Sequence, residues 1–325
     1  MMETQLSLFE NKEIIPKINT TFSWENEITL NCSDAKKFLT TIPDHSMMLT
    51  ITSPPYNIGK EYETNLTLEE YLSKQEEVIK EVVRVTHETG NICWQVGNFL
   101  KKGEKEIIPL DIYFYHIFKD YGLKLRNRII WQFGHGLHAS KRFSGRYETI
   151  LWFSKTDNYI FNLDPVRVQS KYPGKRHYKG KNKGKPSGNP LGKNPTDFWE
   201  FLEKEWNNEV WKIPNVKSNH IEKTIHPCQY PVELVERCLL ALTNPDDFIL
   251  DPYCGVGSSL IAGIKHKRKV VGCDYNQEYI SVAEERINKF LRGNLKIRPL
   301  GKPVYTPTGK EKISQVPKEW NSQEN

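Results

Sequence analysis

The 325-residue chain has no apolar run near the roughly 18 residues that a membrane-spanning helix needs, which argues against a membrane protein. Its first residues, MMETQLSLFENK, hold no apolar segment of the secretory kind, so a cytoplasmic location is expected. There are six cysteines, at 32, 93, 228, 238, 254 and 273, and no Cys-x-x-Cys pair. That spacing argues against a zinc ribbon and against a disulfide scaffold, and reduced thiols are expected. Apolar residues are also scarce. Hydrophobic types make up 38% and mean hydropathy is −0.62. A chain this long can still bury a multilayer core, so one part of it must be polar and weakly buried. Charged residues, at 26%, are ordinary for a folded protein.

Acidic residues are missing from one place: none occurs between Asp164 and Asp197. Residues 165–193 carry nine cations, Arg167, Lys171, Lys175, Arg176, Lys179, Lys181, Lys183, Lys185 and Lys193. Without them the remaining 37 basic residues face 40 acidic ones, so this segment alone makes the +6 net charge positive. Residues 173–195 hold four Pro and five Gly, the punctuation of a loop. Such a segment suits either a phosphate backbone or plain solvent.

Elsewhere the pattern alternates strands and helices. Residues 47–52 (MMLTIT) read as a short buried strand. Thr67 and Glu70 form a capping-box pattern that opens a helix expected to stop near Gly90. A strand at 91–96, a helix at 110–121 and strands at 128–133 and 149–153 follow. Pro231 starts a helix, then come a strand at 248–251, a helix at 258–267, a strand at 269–273 and a helix at 277–291. This predicts an α/β fold with a largely parallel sheet.

Two corners carry chemistry. The first is Asp251-Pro-Tyr-Cys-Gly-Val-Gly-Ser-Ser259, between a strand and a helix. Gly255 and Gly257 permit a tight turn and close backbone approach. Asp274 ends the next strand, where a carboxylate can grip ribose hydroxyls. NAD fits poorly: the third glycine of the dinucleotide fingerprint is absent, and Asp251 at the turn would repel a pyrophosphate. A cationic, phosphate-free nucleoside such as S-adenosylmethionine fits better. The second corner is Thr52-Ser-Pro-Pro-Tyr-Asn57, at the carboxyl end of a strand. An exocyclic base amine is a poor nucleophile because its lone pair is delocalised. Ser53 Oγ and the Pro54 carbonyl can hold its hydrogens and aim the lone pair, while Tyr56 stacks on the base.

The pair SPPY and DPYCGVGSS resembles motifs IV and I of the DNA amino-methyltransferases that act on cytosine N4 or adenine N6. SPPY coming first resembles the permuted β group. His226-Pro-Cys-Gln-Tyr-Pro231 resembles its motif X, Asn31-Cys-Ser-Asp34 the motif near the adenine, and Trp94-Gln-Val-Gly-Asn98 motif V. The resemblance implies a Rossmann-like, S-adenosylmethionine-dependent sheet, permuted, with an inserted target-recognition region. The expected divisions are an N-terminal extension (1–25), a catalytic half (26–160), a basic target-recognition insertion (161–224), a cofactor half (225–292) and a C-terminal extension (293–325).

By the same resemblance, Ser53, Pro54, Pro55 and Tyr56 face the target base. Asp34, His226, Pro227, Asp251, Pro252, Cys254, Gly255, Gly257, Ser258 and Asp274 hold the cofactor. Lys141, Arg142, Arg146, Lys171, Lys175, Arg176, Lys179 and Lys181 are expected to hold DNA around a flipped base. Ser53, rather than Asp, at the first motif position favours cytosine N4 over adenine N6. The implied partner is double-stranded DNA, with a cognate restriction endonuclease left open, as are oligomeric state and an RNA substrate. The rivals are an NAD-dependent enzyme and a DNA-binding module without activity. The implied source is a bacterium, an archaeon or a phage. His135 and His138 have metal-ligand spacing but lack Cys or Glu partners nearby, so no metal is expected. Trp199, Trp206 and Trp211 are expected to fill a small subdomain core, and residues 309–325 to form a solvated tail.

Overall fold

The computed structural model describes residues 15–56, 66–100, 106–133, 139–199, 214–217 and 220–302. In chain order its elements are β1 (Ile18–Asn19), β2 (Ile28–Cys32), α1 (Ala35–Leu39), β3 (Met47–Thr52), α2 (Leu68–Val85), β4 (Thr86–Val96), β5 (Asn98–Leu100), β6 (Ile107–Pro109), α3 (Leu110–Asp120), β7 (Lys124–Gln132), β8 (Tyr147–Ser154), β9 (Phe198–Trp199), α4 (Val232–Leu242), β10 (Phe248–Asp251), α5 (Ser258–Lys265), β11 (Lys269–Asp274) and α6 (Gln277–Leu291). His135, His138, Trp206, Trp211 and the tail 309–325 lie outside the described residues.

Nine strands share one sheet in the order β1-β2-β11-β10-β3-β4-β8-β7-β9. All neighbours run parallel except β8, which is antiparallel to both β4 and β7. Side chains alternate between two buried clusters, as the two-residue period of a strand requires. Leu49, Ile51, Ile249, Val270, Ile150 and Trp152 face the side covered by α4, α5 and α6. Leu250, Val271, Ile92, Trp94 and Phe153 face the side covered by α1, α2 and α3. The result is a three-layer α/β/α sandwich.

The late strands β10 and β11 lie between the early strands β2 and β3. The chain leaves β3 for α2 on one face and β10 for α5 on the other. Adjacent parallel strands with oppositely directed exits open a crevice at their carboxyl ends.

The helix expected to stop near Gly90 ends at Val85, and β4 starts at once. Its capping box is present, with Thr67 Oγ1 accepting from Glu70 N and Glu70 Oε2 accepting from Thr67 N. Gly90 instead marks an irregularity in the strand: the β3–β4 register shifts between Met47 and Leu49, and a Cβ at Gly90 would stand 3.0 Å from Met47 O. The basic segment is likewise more ordered than its composition suggests. It folds back on itself through the bridges Val168–Lys193 and Arg176–Pro186, forming an arm with exposed cations. Ile18–Asn19, which lack periodicity, pair with β2, and Trp24 and Phe22 pack on Phe248.

Candidate active site

The two sequence corners meet in one cavity at the carboxyl ends of β3, β10 and β11. One wall is Ser53, Pro54, Pro55 and Tyr56. The facing wall is the turn Tyr253–Val256 with Ser258 of α5, and Asp274 and Tyr275 close the end. His226, Cys228, Gln229, Tyr230 and Tyr279 complete the lining.

The glycine turn is shaped by close packing. Gly255 and Gly257 adopt φ of 49° and 76°, the left-handed region. A Cβ on Gly255 would approach His226 Nε2 to 3.2 Å, so glycine lets that imidazole lie over the turn. Asp274 Oδ2 accepts from Gly255 N at 3.0 Å, and Oδ1 accepts from Asn276 N at 2.9 Å. Burial raises the Asp274 carboxyl, with these two backbone donors opposing the shift.

Among the described residues the lining contains no Lys or Arg, and Asp274 is its one carboxylate. His226 is held to a pKa of about 4, first by burial and then by Lys223 and Arg286, so it is neutral at pH 7. A neutral-to-anionic lining suits a ligand that carries positive charge and no phosphate. The donor set therefore fits S-adenosylmethionine, with Asp274 available to ribose hydroxyls and the rings of Tyr275 and Tyr279 beside it.

Cys254, Gly255, Ser258, Asp274 and His226 lie in the lining; Asp34, Pro227, Asp251, Pro252 and Gly257 do not. Asp34 caps α1, accepting from Lys37 N at 3.0 Å. The Pro252 carbonyl accepts from Cys273 Sγ at 3.3 Å. Asp251 differs most from the sequence reading, which aimed its charge at the ligand. It is 1% exposed, and its oxygens accept from Thr52 Oγ1, Tyr230 OH, Ser259 Oγ and Tyr253 N. The carboxylate is already satisfied inside the protein, so it organises the turn from behind.

The Ser-Pro-Pro-Tyr corner has its own network. Ser53 Oγ lies 2.8 Å from Tyr56 OH. Tyr56 OH donates to Glu148 Oε2 at 3.4 Å, and Gln95 Nε2 donates to that same oxygen at 2.6 Å. Sequence reasoning missed Glu148 and Tyr230 as members of the two corners. Tyr230 stood inside the quoted motif, whereas Glu148 is one polar residue near the start of β8, and nothing local marks its distant partner.

Lys141 and Arg142 are exposed and Arg146 is half-buried in the β7–β8 connection, which also carries the fully exposed Phe143. Lys171, Lys175, Arg176, Lys179 and Lys181 are exposed on the arm. Neither cationic group enters the cavity lining.

Comparison with known proteins shows the family. A DNA methylase family model matches residues 47–285, which contain both corners. The Type II methyltransferase M.BglII of Bacillus subtilis is 44% identical over 274 residues, covering 84% of this chain and 72% of that protein. The DNA adenine methyltransferase YhdJ of Escherichia coli K12 is 29% identical over 263 residues, covering 80% and 82%. The cytosine-N4-specific PvuII DNA methyltransferase shares the fold with a TM-score of 0.59 at 20% identity, covering 82% of this chain and 92% of that one. The chain belongs to the N6/N4 DNA methylase family, whose methyl donor is S-adenosylmethionine.

Proposed function

We propose that the chain is a site-specific modification enzyme that methylates the exocyclic amine of a base flipped out of duplex DNA, with cytosine N4 as the target and a restriction–modification system as its setting. The observation that carries this reading is the single cavity joining the Ser-Pro-Pro-Tyr corner to the glycine turn and Asp274. S-adenosylmethionine, when bound, supplies an electrophilic methyl on a sulfonium.

The chain's residues do the positioning. Asp274 anchors the nucleoside end. Ser53 Oγ and the Pro54 carbonyl accept from the amine and turn its lone pair toward the methyl. Tyr56 offers a ring for stacking, worth about 1–3 kcal/mol per base. Flipping costs a few kcal/mol, and the exposed cations of the arm and of the β7–β8 connection suit the phosphates that must be held meanwhile. Ser53 supports cytosine N4 through the family resemblance, and the likeness to M.BglII supports the restriction–modification setting.

Incubation with labelled S-adenosylmethionine and DNA, followed by mass spectrometry of nucleosides, tests the reading. N4-methylcytosine is expected. N6-methyladenine, the product that the name of YhdJ suggests for that relative, would overturn the base assignment. Neither product, from folded protein that binds the cofactor, would overturn the proposal.

A further inference from the structure

Methylating a neutral amine leaves one proton too many on nitrogen. As the N–CH3 bond forms and the S–CH3 bond breaks, the sulfonium becomes a neutral thioether and the amine becomes a cation. Two lining groups that could take a proton are engaged elsewhere: His226 belongs to the glycine-turn side, and Asp274 is bonded to the turn itself. The Ser-Pro-Pro-Tyr corner does hold an exit.

We propose that Glu148 terminates a Ser53–Tyr56–Glu148 relay that removes this proton; the inference rests on the methyltransferase reading above. The hydrogen bonds set its direction. Gln95 Nε2 donates to Glu148 Oε2, and Tyr56 OH donates to the same oxygen. Glu148 is therefore an acceptor there, and the Tyr56 proton is committed to it. The Tyr56 oxygen is then left to accept from Ser53 Oγ, 2.8 Å away. That in turn leaves the Ser53 oxygen as the acceptor facing the amine. In the transfer, the amine gives a proton to Ser53 Oγ, Ser53 gives its own to Tyr56 OH, and Tyr56 gives its own to the Glu148 carboxylate. The products are a neutral methylamine, a thioether and a protonated Glu148, so charge and atoms balance.

Two further features support the relay. Gly97 follows β4, and a Cβ there would stand 3.1 Å from the Tyr56 ring and 3.7 Å from Glu148 Cγ. Glycine at this position leaves room for the two side chains to meet. The titration of both groups also suits the task. Burial first, and the Glu148 charge second, push the Tyr56 phenol well up, so it passes a proton on without resting as a phenolate. Burial raises the Glu148 carboxyl, with Gln95 and Tyr56 opposing, which improves it as an acceptor. Gln95 and Tyr56 meet Glu148 by hydrogen bonds, and Cys228 and Tyr71 act on the Tyr56 end.

Glu148 acts through Tyr56, so it is a positioning residue, and its test must separate a proton role from a structural one. Single-turnover methyl transfer is measured against pH with saturating cofactor and DNA. In the wild-type chain the rate should fall on acidification as Glu148 becomes protonated. Glu148→Gln should lose roughly 100-fold in rate and lose the acid limb, with cofactor and DNA affinities unchanged. Glu148→Asp, which keeps the carboxylate, should recover part of the rate and the limb. An E148Q chain with the wild-type rate and limb would overturn the relay, as would equal losses in both variants with an unchanged pH profile. No transfer by the wild-type chain would instead overturn the methyltransferase reading, and the relay with it.

Discussion

Thr52 Oγ1 donates a 2.6 Å hydrogen bond to Asp251 Oδ1, although 199 residues separate them in the chain. They are the last residues of β3 and β10, neighbours in the sheet. One step beyond Thr52 is Ser53, and one turn beyond Asp251 is the glycine corner. Asp251 also accepts from Tyr230 OH at 2.6 Å and from Ser259 Oγ. One buried carboxylate therefore ties together the Ser-Pro-Pro-Tyr corner, the start of α5 and the segment ahead of α4.

Asp251→Asn keeps the size but turns one oxygen into a donor facing hydroxyl donors. We expect a stability loss of about 1–3 kcal/mol, together with weaker cofactor binding and weaker transfer. Thr52→Val removes a single donor and should cost about 1 kcal/mol. Urea denaturation of both variants checks the order; an Asn variant as stable as wild type would show that the hub is dispensable.

The acid behaviour of the turn should be visible in stability. Burial holds His226 to about 4, below its ordinary value of 6.5, so the unfolded chain takes up this proton first. The contribution of neutral His226 is full above about 6.5 and is lost as pH falls from there toward about 4. Urea midpoints of wild type and His226→Gln between pH 7 and about 4 should therefore converge on acidification. Parallel curves would contradict the depressed value.

The basic arm should matter for DNA and for nothing else. Replacing Lys171, Lys175, Arg176, Lys179 and Lys181 with Ala should weaken DNA binding and flatten its salt dependence by about 0.9 for each phosphate no longer neutralised. Cofactor affinity, measured by calorimetry, should not change. An unaltered salt slope would place the DNA elsewhere.

Local pattern made much of the architecture legible. Strand 248–251 and helix 277–291 have the bounds that periodicity assigns, because each buries one continuous apolar set. Gly90 misled because a glycine after a helical run reads as a stop, while its use here depends on Met47 and Thr86 packed against it. Asp251 was legible as important but not in its direction: a carboxylate beside a glycine turn reads as a ligand group until Thr52, Tyr230 and Ser259 are seen around it. Glu148 had no local signal, since Tyr56 and Gln95 reach it from 92 and 53 residues away.

The division of labour within the cavity is tested most directly by measuring cofactor binding and methyl transfer on the same samples of Ser53→Ala and Asp274→Ala. Ser53→Ala should bind S-adenosylmethionine like wild type and transfer at most about one-hundredth as fast. Asp274→Ala should lose cofactor affinity first, with transfer partly restored at high cofactor concentration. Equal loss of cofactor affinity in the two variants would contradict the assignment of one wall to the base and the other to the nucleoside.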